Sequence, residues 1–285
     1  MSHRRGAAVR DDVLTRVCVR GLQQPTPMPA ATAHPPVRRP RHPRVALAAL
    51  ALVGVLAGAP AATAAERPTS SPPGSTKLSD EVRLTRWAHA TQRASAFSRP
   101  TTKARKSGKL RLLTEDGFPE VYLLLSRWED EDGNDWVRVR LPARPNGQKG
   151  WVRRDALGDF NRVNTRIVVD KSKLRATLYR SGKVVFSARV GVGAPSTPTP
   201  SGLFYIREKF RVEPSGTIYG SHAIGTSAYA PTLSDWPGGG VVGLHGTNQP
   251  QLIPGRPSHG CVRLRNADVE RFYKLAPRGT PIRIL

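Results

Sequence analysis

Ser258-His259-Gly260-Cys261-Val262-Arg263-Leu264 contains the only cysteine of this 285-residue chain beyond residue 65, and a second His-Gly pair, His245-Gly246, precedes it. A cysteine attacks as its thiolate, so it requires a base or a cation that lowers its pKa. It also requires hydrogen-bond donors for the oxyanion that forms during attack on a carbonyl. The stretch offers candidates for both, and it predicts a thiol acyl-transfer enzyme with Cys261 as the nucleophile.

The residues around Cys261 suggest how such a site is built. Gly260 allows a tight turn that presents backbone N–H groups beside the sulfur. His245 follows the apolar strand Val241-Val242-Gly243-Leu244, and a strand end is a rigid place from which to aim an imidazole. Arg263 is placed to hold a substrate carboxylate.

Two other interpretations of Cys261 stay open at this point. A free cysteine is often a small buried hydrophobic residue. His245, His259 and Cys261 are also zinc-ligand types, but the stretch lacks a clear fourth ligand and CxxC pairing. We therefore expect neither a metal nor a cofactor.

The N-terminus predicts export. Residues 1–44 are basic and rich in proline, residues 45–65 are uncharged and apolar, and Ala62-Thr63-Ala64 provides a cleavage signal. Residues 1–65 thus have the three parts of a secretory signal, with Met28 as an alternative start. If the segment 45–65 stays uncleaved, it becomes a membrane anchor. Either way the rest is extracytoplasmic, and cleavage removes Cys18, so Cys261 has no disulfide partner within the chain.

The charge of the chain is strongly positive. The formal net charge is +24, of which residues 1–64 contribute +7, so +17 remains for residues 65–285. We find no recognition helix, aromatic-basic RNA signature or zinc finger, so we expect no nucleic-acid partner. For an exported chain the expected anion is a wall polymer or its carboxylates, although basic residues also simply solvate a surface.

Composition and turn signals divide the exported part into a linker and two domains. Residues 66–81 are rich in Ser, Thr and Pro and predict a spacer. Residues 82–158 contain short strands and tight turns, which are typical of a small barrel. Trp136-Val-Arg-Val, the Asn146-Gly147 turn and Gly150-Trp151-Val152-Arg153 resemble bacterial SH3-like domains, which implies binding of wall peptides. The alternative interpretation, which the sequence supports equally, is a barrel that serves only as a spacer and has Trp136 and Trp151 in its core.

Residues 163–285 predict a second, mainly β domain. Strands are expected at Arg166–Asp170, Leu174–Tyr179 and Val184–Val190, with a turn at Ser181-Gly182. One helix is expected near the C-terminus, capped by Asn266 and stopped by Pro277. The predicted fold class is therefore mainly β with one or two short helices.

The second domain resembles the L,D-transpeptidase family (the YkuD-type catalytic domain). The likeness rests on His245-Gly246-Thr247 and on the stretch 258–264. It extends to the Pro198–Gly202 loop, Tyr219-Gly220, Ala223–Gly225 and Gly279–Ile284. It implies a β-sandwich-like domain with the cysteine at one end, under a mobile flap.

The resemblance also implies a reaction and residue roles. Cys261 attacks a peptidoglycan tetrapeptide stem at the bond to its terminal D-alanine, and an acceptor amine of a neighbouring stem resolves the thioester. His245 is the proton donor and acceptor, and Gly246 orients it through its carbonyl. His259 and Gly260 belong to the oxyanion region. Arg263, Ser258, Tyr219 and Gly246 are candidate substrate-binding residues; some members have asparagine at the position of Arg263.

Two other functions share these residues. Water as the acceptor makes the protein an L,D-carboxypeptidase. A decayed active site makes it a wall-binding module.

Overall fold

The computed structural model describes residues 71–234 and 239–285. The predicted leader 1–65, with its possible anchor 45–65 and Cys18, and the start of the predicted linker lie outside these residues. Within the described ranges, no helix is long and apolar enough to cross a membrane.

The first half of the described chain forms an eight-stranded, antiparallel sheet. The strands run in the order β4-β3-β7-β6-β5-β2-β8, and β1 pairs with β5. Their bounds are β1 Thr76–Lys77, β2 Thr85–His89, β3 Ser95–Phe97, β4 Lys106–Lys109, β5 Val121–Glu129, β6 Asp135–Arg140, β7 Lys149–Arg153 and β8 Asn161–Val163.

Alternation along β6 explains the core of this sheet. Val137, Val139 and Leu141 are buried together in one apolar cluster, as the alternation predicts. Trp136 and Trp151 are 2% and 1% exposed and pack with Phe97. Both tryptophans are therefore core residues, which leaves them unavailable to a wall peptide. The likeness to an SH3 domain stays a prediction.

The structure differs from two predicted boundaries. The second half of the predicted spacer 66–81 is part of the sheet, because Thr76–Lys77 pairs with β5 and Leu78 is buried. The first sheet also extends past residue 158, since β8 pairs with β2. Short edge strands such as these have too few apolar residues to give a sequence signal.

The second half of the chain forms a ten-stranded mixed sheet. Its order is β11-β10-β9-β18-β13-β14-β15-β17-β12-β16. The bounds are β9 Thr165–Asp170, β10 Arg175–Arg180, β11 Lys183–Arg189, β12 Gly191–Gly193, β13 Gly202–Arg211, β14 His222–Tyr229, β15 Val241–His245, β16 Gly255–Ser258, β17 Val262–Arg263 and β18 Pro281–Ile284. The predicted hairpin turn at Ser181-Gly182 is confirmed, with positive φ at both residues.

Within residues 71–234 and 239–285, one α-helix, α1 (Asn266–Leu275), packs on this sheet, and two short 3₁₀ helices lie at Arg154–Ala156 and Pro250–Leu252. Val269 and Phe272 of α1 are buried in the apolar core of the second sheet. The predicted capping role of Asn266 is wrong: Arg265 is the N-cap, and the helix has no side-chain cap. The predicted class, mainly β with little helix, is confirmed.

Candidate active site

A glycine turn between β16 and β17 carries Cys261. Gly260 has φ +124°, a conformation that L side chains rarely adopt, so glycine is required here. Ser258 Oγ donates to the Cys261 carbonyl (2.6 Å) and accepts from Gly260 N–H (3.2 Å). The Ser258 hydroxyl is thus bonded inside the turn, and contact of this residue with substrate stays a prediction. The Gly260 N–H is likewise paired, so its place in an oxyanion site stays a prediction.

Thr199 ties this turn to the neighbouring strand β12. Its hydroxyl donates to the Gly260 carbonyl and accepts from Gly193 N–H, both at 2.8 Å, and the residue is 2% exposed. A Cβ on Gly193 would collide with the backbone around Thr197. Thr199 thereby joins the turn to β12, and residue 193 has to be glycine because the backbone of residues 197–199 lies so close to it.

His245 ends strand β15, which runs parallel to β17 so that His245 stands opposite Arg263. Its Nδ1 lies 2.6 Å from the Gly246 carbonyl oxygen. Because a carbonyl only accepts, Nδ1 carries the proton and Nε2 of the neutral ring has a free lone pair. The Gly246 carbonyl, which is expected to orient the imidazole, is therefore within hydrogen-bond distance of it.

Burial keeps the His245 ring neutral. The residue is 4% exposed, and desolvation, assisted by the nearby positive charge of Arg263, lowers its pKa to about 4 despite the hydrogen bond to Gly246. At neutral pH the imidazole is therefore a base with an accessible lone pair rather than a cation.

The Cys261 thiol lies between backbone groups of β15. Gly243 N–H points at Sγ (3.5 Å), and the Val241 carbonyl oxygen is 4.0 Å from it. Burial raises the pKa of the thiol, while the Gly243 N–H and the charge of Arg263 act in the opposite direction. The resting group is therefore a thiol, with one donor already in place for the thiolate.

Tyr219 packs against the ring of His245, and Asn266 packs against the two residues that follow it in the chain. The Tyr219 ring packs edge-on against the imidazole, with centroids 5.0 Å apart. Asn266 Oδ1 accepts from Thr247 N–H (3.0 Å), and a Cβ on Gly220 or Gly246 would collide with it. The carboxamide therefore lies between the Tyr219-Gly220 turn and the peptide whose carbonyl orients His245. Tyr219 thus contacts the histidine, while substrate contact by this residue remains an expectation.

One cleft brings most of the predicted site residues together. It is lined by Cys261, His245, His259, Ser258, Arg263 and Tyr219, and another part of its wall is made by Ala230, Leu233 and the segment 240–242. His259 is exposed at its edge. Arg263 lines the cleft, and its Nε is buried without a hydrogen-bond partner in the part of the chain that the structure describes.

Thr199 and Asn266 are site residues that sequence reasoning missed. Thr199 stands in a proline-rich loop that predicts only rigidity, and Asn266 stands at the start of a helix, where a capping role is the common expectation. Nothing local indicates that either side chain reaches a different strand. Among residues 71–234 and 239–285, no group of three or more His, Cys, Asp or Glu side chains is arranged to hold a metal ion.

Comparison with known proteins identifies the family. A model of the L,D-transpeptidase catalytic domain (YkuD) matches residues 164–284. A Bacillus subtilis (strain 168) protein named as the L,D-transpeptidase YkuD is 31% identical over 149 residues, which are 50% of this chain and 83% of that protein. The chain belongs to the YkuD family of L,D-transpeptidases.

Two further L,D-transpeptidases show how far the likeness extends. The Escherichia coli (strain K12) protein named YbiS is 28% identical over 138 residues, 43% of this chain and 45% of that protein. An Enterococcus faecium L,D-transpeptidase mutant of known crystal structure is 25% identical in sequence to this chain. The match covers 42% of this chain and 49% of that one, and the TM-score is 0.34. The chain spans less than half the length of these two relatives.

Proposed function

We propose that this protein is an exported peptidoglycan L,D-transpeptidase that works through a cysteine thioester and releases D-alanine. The observation that carries the proposal is that His245 and Cys261 line one cleft, with the Nδ1 of His245 bonded to the Gly246 carbonyl. Membership of the L,D-transpeptidase family supports the reaction class. The leader predicts export, and the +17 charge favours association with an anionic wall.

Acylation begins with a neutral thiol and a neutral imidazole. His245 Nε2 takes the Sγ proton as the sulfur attacks the carbonyl that precedes the terminal D-alanine. The carbonyl electrons move onto oxygen and return as the C–N bond breaks. The protonated imidazole then gives its proton to the leaving amine of D-alanine, and a thioester on Cys261 remains.

The second half of the reaction reverses the proton path. An acceptor amine attacks the thioester and loses a proton to His245 Nε2, the C–S bond breaks, and the sulfur recovers the proton. The positive charge of Arg263, which lines the cleft, supports binding of a carboxylate of the donor stem.

Intact-protein and peptide mass spectrometry with a defined tetrapeptide tests this function. The wild-type chain should gain a tripeptide acyl group on the peptide that contains Cys261 and release one D-alanine, because only the terminal residue leaves. Cys261→Ala should do neither while remaining folded, and Cys18→Ser is the matched control that keeps the adduct.

Product analysis with and without an acceptor amine separates the alternatives. A cross-linked product that appears only with the amine supports transpeptidation, and free tripeptide in both cases supports the carboxypeptidase. A wild-type protein that neither gains the adduct nor releases D-alanine would contradict the proposed function and favour a wall-binding module.

A further inference from the structure

The turn after β6 in the first sheet contacts a segment that lines the active-site cleft in the second. This turn spans residues 141–148 and contains Arg144 and Asn146. It contacts Tyr229, the last residue of β14, and the two described ends of the segment that joins β14 to β15, residues 230–234 and 239–240. Ala230, Leu233 and Gly240 from these ends line the cleft that holds Cys261.

Arg144 joins the two ends of this segment. Its Nη1 donates to the Gly239 carbonyl (2.9 Å), and its Nη2 donates to the carbonyls of Leu233 (2.8 Å) and Ala230 (3.3 Å). The guanidinium also lies over the Tyr229 ring, 4.6 Å from its centroid. A planar fork of donors suits such a cluster of carbonyls better than a single ammonium does.

Asn146 fixes the start of the same segment. Its Nδ2 donates to the Tyr229 carbonyl (2.8 Å), and its Oδ1 accepts from Tyr229 N–H (2.9 Å). The carboxamide thereby pairs with the backbone as a neighbouring strand would. Pairing between β14 and β15 is irregular here, with a register shift between Gly225 and Tyr229.

The wall of the cleft therefore depends on residues from outside the family-matched region 164–284. The carbonyls of Leu233 and Gly239 are bonded by Arg144, and Gly240 packs so closely that a Cβ would meet Leu233 O and Arg144 Nη2. Strand β15 begins directly after Gly240 and carries the Val241 carbonyl and Gly243 N–H that face the Cys261 sulfur.

We propose that Arg144 is a positioning residue for the donor-binding wall of the cleft, and that the first sheet is in this way a structural part of the active site. The inference rests on the proposed function, since it is the donor stem peptide that this wall would contact. Arg144 touches neither Cys261 nor His245, so its loss should weaken donor binding more than it slows the chemical step.

Acylation of Cys261 by a donor tetrapeptide, followed by mass spectrometry over a range of concentrations, tests this assignment in the full chain. Arg144→Ala should raise KM about tenfold and change kcat less than about twofold, because several charge-assisted hydrogen bonds to the wall are lost. Arg144→Lys should recover part of the loss. Hydrogen exchange should become faster in strand β15 of Arg144→Ala.

Arg154→Ala is the matched control. Arg154 also donates to a carbonyl, that of Leu157, and lies over the ring of Phe160. These contacts stay within the segment that joins β7 to β8 of the first sheet. Its KM and its exchange in β15 should equal those of the wild type. If Arg144→Ala does not fold, Arg144→Lys and Asn146→Ala provide the same comparison.

The outcomes separate this inference from the proposed function. If the wild type is acylated and the Arg144 and Asn146 variants keep its KM and its exchange rates in β15, the positioning role is wrong and the function stands. If the wild type is not acylated, the proposed function is wrong, and the exchange rates alone decide whether Arg144 holds the wall.

Discussion

At the scale of single residues, the resting states of Cys261 and His245 define how the site works. Burial raises the pKa of the thiol and lowers that of the imidazole to about 4. Both shifts favour the neutral form of each group over a preformed thiolate–imidazolium pair. In the proposed reaction the proton is therefore transferred during the attack, and the Gly243 N–H, 3.5 Å from Sγ, is the donor that we expect to stabilise the thiolate as it forms.

Alkylation of Cys261 by iodoacetamide should follow this resting state. Only the thiolate reacts, and the pKa of the Cys261 thiol is raised. The rate of alkylation in the free protein should therefore climb steadily through pH 9. Quantification of the labelled peptide that contains Cys261 measures this rate without interference from Cys18. A rate that already reaches a plateau below pH 7 would indicate a preformed ion pair and contradict the neutral pair.

At the scale of one element, strand β13 links the two sheets through neighbouring side chains. Glu208 is 1% exposed, packs against Gly225 of β14, and accepts a hydrogen bond from Thr114. Burial, together with the negative charge of Asp116, raises its pKa to about 7 although the Thr114 hydrogen bond acts the other way. Glu208 therefore holds a proton in the folded protein at pH values where the unfolded chain has lost it.

Glu208→Gln should stabilise the protein at high pH. A carboxyl whose pKa is raised on folding contributes fully below its unfolded pKa of about 4.5, and the contribution is lost as the pH rises through 7. We expect the variant to gain about 2 kcal/mol over the wild type at pH 8 and little at pH 5. Urea unfolding at both pH values measures the difference.

Glu270→Gln is the control for this comparison, because Glu270 pairs with Lys274 on the exposed face of α1. A Glu208→Gln variant whose stability relative to the wild type is the same at pH 5 and pH 8 would show that Glu208 does not titrate in this range.

At the scale of the whole molecule, a buried ion cluster joins the two sheets. Arg207 of β13 is fully buried and bonds Glu120 through Nε (2.7 Å) and Nη2, and Glu115 through Nη2 (2.8 Å). The Tyr229 hydroxyl donates to Glu115 as well (2.5 Å). Since both carboxylates precede β5 of the first sheet, unfolding of either sheet leaves buried charges without partners.

Arg207→Met should therefore destabilise the whole protein strongly. It keeps much of the side-chain volume but leaves Glu120 buried without its cation, and removing one partner of a buried pair costs about 3–5 kcal/mol. Urea unfolding followed by tryptophan fluorescence and far-UV circular dichroism measures the loss. Four of the five tryptophans, 87, 128, 136 and 151, lie in strands of the first sheet, so the fluorescence reports mainly on that sheet and its comparison with circular dichroism shows whether the sheets unfold together.

The matched control is Arg127→Met, because Arg127 pairs with Asp135 on the surface of the first sheet with half of its side chain exposed. The free energy of unfolding of Arg127→Met should stay within about 1 kcal/mol of the wild-type value. Equal effects of the two substitutions would mean that the Arg207 cluster does not couple the sheets.

Short-range features of this protein could be predicted from the sequence. The alternation of Val137, Val139 and Leu141 predicts a buried face, Ser181-Gly182 predicts a turn, and Gly260 predicts the bend beside Cys261. The types of residue present also predict a catalytic pair of Cys261 and His245; the structure places both in one cleft, and their catalytic roles stay a prediction. Each of these depends on local backbone preference or on side-chain chemistry, which a few neighbouring residues are enough to specify.

The sequence by itself determined the kind of chemistry and the β character of the chain, and only the tertiary structure decided which distant groups complete the site. Arg144 bonds the carbonyl of Leu233, 89 residues away, and Thr199 bonds that of Gly260, 61 residues away. Asn266 reaches Thr247 instead of capping its own helix. These contacts, and the pKa shifts that burial causes, depend on the order in which strands meet, and local sequence patterns do not encode that order.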